Sequence, residues 1–448
     1  MRIACVQLAA RDVEESGRAL DEALAAAGEA AREADLVVLP EATYPAYILH
    51  EAAPHLDPAP YQRALEAFGA VAREHETYVA VGLIRPEGGD LLNSAVLLDP
   101  GGQVRSISDK AFLWHFDRRW FRRGAPGEVA GLPFGPTGVF VCADARMTEI
   151  PRRLALAGAR LLLDPTALVL SPRGTNAQLE FMLAARAWEN GAFLAVANKC
   201  GAEAGIARYG GRSAIFDPSG ARLVEAAPDT PEIIVADVSL EEAPGPPVAA
   251  DPRGYPELSA PIESLPIAKA LAAGPPRALL RLAMLRESVA PGRPLEELDA
   301  DLGIGRSVRA PDVLSVENGG FGLGDRSYGS GDVVPFDETS LGLLSGDRLA
   351  VPEEARSLML RGASVVVWDR AGVRIPDEVV RTRADENRVF LVSLEEDDGW
   401  RVHGPTGALL GSGPHDGLEA EFVELPLALA WHKEMAPGTH VVFDRPLG

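Results

Sequence analysis

Cysteine is scarce in this 448-residue chain, which holds only Cys5, Cys142 and Cys200. An odd and sparse set of that kind does not form a disulfide framework, so a reducing compartment is expected. Histidine is also thin: the eight histidines and three cysteines show no ligand spacing, so no metal is expected. Nor is a cofactor, because the glycine-rich run from Gly319 to Gly324 lacks the Lys-Ser/Thr and helix of a phosphate cradle and reads as a flexible loop. No apolar run reaches the ~20 residues that cross a bilayer. The start, Met1-Arg2-Ile3-Ala4-Cys5-Val6, has neither an h-region nor a cleavage site, and a cytoplasmic protein is expected. Positive charge is in deficit: 43 Lys and Arg against 65 Asp and Glu give a net charge of -22, which argues against nucleic-acid and membrane partners.

What is present is ample apolar material, 47% of residues, enough for two cores. Strand and helix signals alternate through the first half. Arg2-Leu8 reads as a strand, and Val13, Leu20, Leu24, Ala27 and Ala31 fall on one helix face. Further strands are expected at 36–39, 78–84, 94–98, 138–142, 160–163, 193–197, 213–216 and 233–237, and helices at 61–73, 149–157 and 176–189. The pattern is α/β. Residues 1–240 form one domain, and a proline-punctuated stretch, 241–276, reads as a linker or wrapped extension.

Residues 277–448 look like a shortened second copy. Arg186-Ala187-Trp188-Glu189-Asn190 recurs as Arg383-Ala384-Asp385-Glu386-Asn387, and the turn Asp217-Pro218-Ser219-Gly220 as Gly404-Pro405-Thr406-Gly407. Pro133-Phe134 and Thr137 recur as Pro335-Phe336 and Thr339.

Three polar residues follow apolar strands in the first copy, where a rigid sheet presents catalytic groups on loops. Glu41 follows Leu39-Pro40, and burial there would tune a carboxylate toward general-base work. Lys110 precedes the aromatic run through Phe121 and can stabilise an oxyanion or a thiolate. Cys142 sits where Val139-Phe140-Val141 gives way to polar residues, just ahead of a helix whose N-terminus favours thiolate. Each has an ordinary alternative: a strand-end Glu, a surface Lys, a packing Cys. Cys5 and Cys200, in apolar or Gly-rich surroundings, read as packing or loop cysteines.

Taken together, Glu41, Lys110 and Cys142 resemble the Glu-Lys-Cys triad of the nitrilase superfamily of carbon-nitrogen hydrolases. Their flanks are similar too: Cys142-x-Asp144-x-Arg146-x-x-Glu149, Gly124, Arg186-Ala187-x-Glu189-Asn190, Asn198, and Gly211-x-Ser213-x-x-x-Asp217-Pro218. The resemblance spans residues 2 to about 240 and implies a four-layer αββα sandwich. It also implies acyl transfer through a cysteine thioester, with Glu41 as base and with Lys110 and the backbone N–H of Ala143 on the oxyanion. Many members carry a second Glu after the lysine; here that region offers Asp117, to which a supporting role is assigned. Tyr47, Trp114, Thr166 and Asn198 are candidate substrate contacts.

True nitrilases usually carry Trp after the nucleophile, whereas Ala143 stands here. Small amides or N-carbamoyl compounds are therefore expected as substrates ahead of nitriles. Acyl transfer to an amine and a non-catalytic scaffold role are the other readings. The second copy has no cysteine, and its Glu317 reads as a remnant of Glu41. The resemblance implies homo-oligomers, or a C-terminal copy acting as an intrachain pseudo-dimer partner.

Overall fold

The computed structural model describes residues 1–247, 254–274, 279–285, 300–306, 312–317, 319–337, 339–396, 399–414 and 420–445. Two compact units emerge, Met1–Pro247 with Ala436–Thr439, and Val248–Met435 with His440–Gly448.

The first unit is a four-layer αββα sandwich. Its larger sheet centres on β1 (Arg2–Ala9), β2 (Leu36–Val38) and β3 (Tyr78–Glu87), which run parallel and are mostly apolar through their middles because both faces are covered. β3 continues antiparallel into β4 (Asp90–Leu98) and β5 (Val104–Asp109). Two helices, α1 (Ser16–Ala31) and α2 (Pro58–His75), cover the outer face. α1 buries Ala23, Ala27, Ala30 and Ala31, a small-residue stripe that lets it lie close to the sheet. α2 starts where the Asp57 side chain accepts the Ala59 N–H and a proline supplies a first-turn φ.

The second sheet is built from a hairpin of β6 (Ala130–Leu132) and β7 (Gly135–Val139), then β8 (Leu161–Pro165) and β9 (Phe193–Ala197). β10 (Lys199–Glu203) and β11 (Ala207–Gly210) return to the first sheet, while β12 (Ala214–Phe216) and β13 (Arg222–Glu225) complete the second. β14 (Glu232–Asp237) pairs antiparallel with β1. Outside lie α3 (Glu149–Leu156) and α4 (Leu183–Asn190); the expected helix over 176–189 divides into a π-turn, Gln178–Met182, and α4.

In the second unit, β15 (Leu280–Leu285), β16 (Leu302–Arg306) and β17 (Val313–Glu317) run parallel, followed antiparallel by β18 (Gly320–Leu323) and β19 (Arg326–Tyr328). Its other sheet follows the order β20 (Val333–Phe336), β21 (Thr339–Ser345), β22 (Val365–Asp369), β23 (Phe390–Leu394), β24 (Trp400–His403), β25 (Leu409–Gly413). β26 (Ala420–Leu425) pairs antiparallel with β15, as β14 does with β1. The β6–β13 sheet of the first unit and the β20–β25 sheet of the second both run antiparallel, parallel, parallel, antiparallel, antiparallel from their first strand.

Several expectations from the sequence shift in the folded chain. The glycine run 319–324 contains strand β18, because pairing with β17 supplies the backbone bonds that a free loop would give to water. The proline-rich stretch holds a helix, α5 (Pro266–Ala273), which begins on a proline where no N–H is needed; Pro252, Pro275 and Pro276 lie outside the described residues. Glu317 ends the strand that matches β3, not β2, so it does not occupy the place of Glu41. Thr339 also misses Thr137 by two residues: Thr137 pairs with the first residue of β8, and Leu341 does so with the first of β22. Among the described residues no helix is long and apolar enough to cross a membrane.

Candidate active site

Three loops at the ends of β2, β5 and β7 converge. After β2, Leu39-Pro40 carries the chain to Glu41, tied down by Gly82 N–H to Pro40 O (3.1 Å) and Glu41 N–H to Thr166 O (3.3 Å). Gly82 is indispensable to this approach, since a Cβ there would stand 2.4 Å from Pro40 O and 2.5 Å from Glu41 Cα. After β5, Lys110 is fixed by its own N–H to Asn93 O (2.8 Å) and by Gly124 N–H to its carbonyl (3.0 Å).

Glu41, Lys110 and Asp117 are all fully buried. Lys110 Nζ donates to Glu41 Oε1 and sits beside Asp117 Oδ2, each at 2.8 Å. Asn93 Nδ2 donates to the same Glu41 oxygen at 2.6 Å, which leaves Glu41 Oε2 with no partner. Asp117 is held by the Tyr47 hydroxyl (2.5 Å) and the Trp114 N–H (2.7 Å). Burial works against the Lys110 charge, but Asp117, Cys142 and Glu41 together raise its pKa well above the usual lysine range.

Cys142 stands differently from the expectation that a strand over 138–142 ends on it. β7 stops at Val139, and Cys142 opens a tight 3-10 turn, Cys142–Arg146, with φ +53°. The ladder breaks because side chains take its donors. Val141 N–H goes to Asp144 Oδ2 (3.1 Å) and Cys142 N–H to Asp164 Oδ1 (2.7 Å). Asp144 Oδ1 accepts from Ala111 and Phe112, so one carboxyl pins the cysteine turn to the lysine loop. Burial raises Asp144 to about 7 in spite of these donors. The N–H of Ala143 has no acceptor among the described residues.

Burial drives the Cys142 thiol well above its usual range, Glu41 adds to that, and Lys110 and the Thr166 hydroxyl pull it back toward thiolate. The balance favours the thiol over the thiolate, and Glu41, one of the groups that act on it, keeps one oxygen without a partner.

The structure thus brings Glu41, Lys110, Asp117, Cys142 and Ala143 together. Among the other expected residues, the Thr166 hydroxyl is buried without a hydrogen-bond partner and is one of the groups that lower the thiol pKa, and Trp114 stacks against Arg146, 4.7 Å from ring centre to guanidinium carbon. Tyr47 spends its hydroxyl on Asp117, and Asn198 spends its amide on backbone, to Gly211 O and from Leu168 and Lys199 N–H. Asn93, Asp164 and Gln178, whose amide donates to Cys142 O at 3.0 Å, went unread in the sequence. Asn93 does carry a signal there: it is a polar residue inside the apolar strand Leu91-Leu92-Asn93-Ser94-Ala95-Val96.

Residues 2–244, more than half of the chain, match the family described as carbon-nitrogen hydrolase. The chain belongs to that family. Its relatives include the "Hydrolase in pqqF 5'region" of Pseudomonas protegens, 33% identical over 238 residues, 52% of this chain and 81% of that one. They also include an (R)-stereoselective amidase of Pseudomonas sp., 30% identical over 234 residues, 51% of this chain and 82% of that one. The solved amidase from Nesterenkonia sp. is similar at 29% identity and a TM-score of 0.49, over 54% of this chain and 92% of that one. As a carbon-nitrogen hydrolase of the amidase type, this protein cleaves C–N bonds other than peptide bonds.

Proposed function

We propose that the enzyme hydrolyses a small amide or N-carbamoyl compound through a thioester on Cys142. The observation that carries this reading is the half-engaged carboxylate. Lys110 and Asn93 hold Glu41 Oε1, Oε2 stays without a partner, and the group is close enough to Cys142 to raise the thiol pKa. Glu41 takes the thiol proton as sulfur attacks the carbonyl carbon. Two donors are available for the oxyanion: the Ala143 N–H, and the third N–H of Lys110, whose other two face Glu41 and Asp117. The tetrahedral centre collapses, the C–N bond breaks, and Glu41 returns the proton to the departing nitrogen. Water, deprotonated by Glu41, then attacks the thioester; the acid leaves and the thiol is restored.

Asp117 keeps the lysine in place, and Thr166 borders the sulfur. Ala143 next to the nucleophile supports amides and carbamoyl compounds over nitriles. The three free cysteines, all buried, support a reducing, cytoplasmic setting.

The test is ammonia release from a panel of amides, N-carbamoyl compounds and nitriles, by the intact protein and by Cys142→Ala. Release confined to amides or carbamoyl compounds and lost in the variant supports the reading; release by Cys142→Ala rules it out.

The matching strand orders support a second reading, that the second unit is a degenerate duplicate acting as a built-in partner for the catalytic half. On that reading the chain is monomeric in sedimentation velocity. A stable homodimer would count against it.

A further inference from the structure

One buried carboxyl beside the nucleophile has no role in the reaction described above. Asp164 lies within β8, next to β7, and is fully buried; Oδ1 accepts the Cys142 N–H at 2.7 Å and Oδ2 has no partner. Burial, together with the nearby carboxylates of Glu41 and Asp144, pushes Asp164 well above the usual carboxylate range, against the pull of the Cys142 N–H and Lys110. Only Oδ1 is engaged, by a single backbone N–H, so an amide oxygen can take its place at this position.

The second unit supplies an independent comparison. Val139 pairs with Leu163 and Leu343 with Val367, so Gly346 stands where Cys142 stands, three residues past the pair, and Trp368 stands where Asp164 stands. Gly346 has φ +61° and also opens a 3-10 turn. With glycine in that turn the carboxyl is gone, and Trp368 Nε1 donates to Gly346 O at 2.9 Å. Glycine adopts a left-handed φ without support, whereas a residue with a Cβ is strained there. The carboxyl is found with the thiol, not with the turn alone.

We propose that Asp164 is a positioning residue for the hydrolysis: by holding the Cys142 N–H it fixes the strained turn, aims the sulfur and leaves the Ala143 N–H as the donor free for the oxyanion. This rests on Cys142 being the nucleophile. The test uses the full chain with Asp164→Asn and Asp164→Ala, measuring kcat and KM on an amide and mapping iodoacetamide labelling of Cys5, Cys142 and Cys200 by mass spectrometry.

Asn keeps the acceptor oxygen and should stay within about threefold of wild type, whereas Ala should lose about 100-fold in kcat with KM little changed. Buried Cys5 should stay unlabelled in both, which separates misplacement from unfolding. If Ala does not fold, Asn decides: near-wild-type kcat sustains the role, and a large loss overturns it. Wild-type kcat in Asp164→Ala also overturns it. Hydrolysis surviving in Cys142→Ala would instead remove the nucleophile on which the proposal rests.

Discussion

Lys110 donates to Glu41 Oε1 at 2.8 Å, and the two groups act on the Cys142 thiol with opposite sign. Glu41→Gln removes a charge that raises the thiol pKa, so the pH midpoint of Cys142 alkylation should fall. Lys110→Met removes a charge that lowers it, and the midpoint should rise. Both variants should lose amide hydrolysis by about 100-fold or more, since on the proposed mechanism a proton acceptor or an oxyanion donor is gone. Iodoacetamide labelling across pH, alongside ammonia release, checks both signs; midpoints that stay put would mean that neither group senses the sulfur.

Gly82→Ala places a methyl group against the backbone that carries Glu41. The chain must shift there, at a cost of about 1–3 kcal/mol, and the carboxylate moves with it. A denaturant midpoint below wild type, with kcat down about 100-fold, is expected. Wild-type turnover would mean that the placement of Glu41 tolerates the shift.

The two units share a buried device with different consequences. Arg186 donates to Ala145 O at 2.6 Å and pairs with Glu189 at 2.6 Å; Arg383 donates to Leu349 O at 3.1 Å and pairs with Glu386 at 2.8 Å. Replacing either arginine with Met should cost about 3 kcal/mol, because a buried carboxylate loses a cation. Only Arg186→Met should also lower kcat, since Ala145 belongs to the cysteine turn. Denaturation and turnover measured on both variants separate the effects, and equal activity in the two would break the link between that contact and the site.

Legibility in the sequence follows the range of the interaction. Strand Phe193–Ala197 emerges with its expected ends, because a fully buried strand writes itself as an apolar run. The flanking patterns of Glu41, Lys110 and Cys142 single out three residues that the structure brings together, each carried by its own short segment. The turn at Cys142 was not: Val139-Phe140-Val141 continues the apolar pattern, and only the carboxyls of Asp144 and Asp164 end the ladder. Asn93 and Asp164 come to the site across neighbouring strands, and pairing of that kind leaves no periodic trace in one chain. Glu317 was misplaced for the same reason, since strand order, not spacing, decides which loop it can match.

Gly346 and Cys142 occupy one left-handed position in two settings, with a side chain in only one of them. Exchanging Ala for Gly ordinarily weakens a fold by about 0.5–1 kcal/mol. At residue 142 the order should be reversed, with Cys142→Gly at least as resistant to heat as Cys142→Ala, a ranking that calorimetry can read directly. The fold would be most at ease with no side chain where the proposed mechanism needs one, so on that mechanism thermal robustness and hydrolytic capacity compete at that single residue.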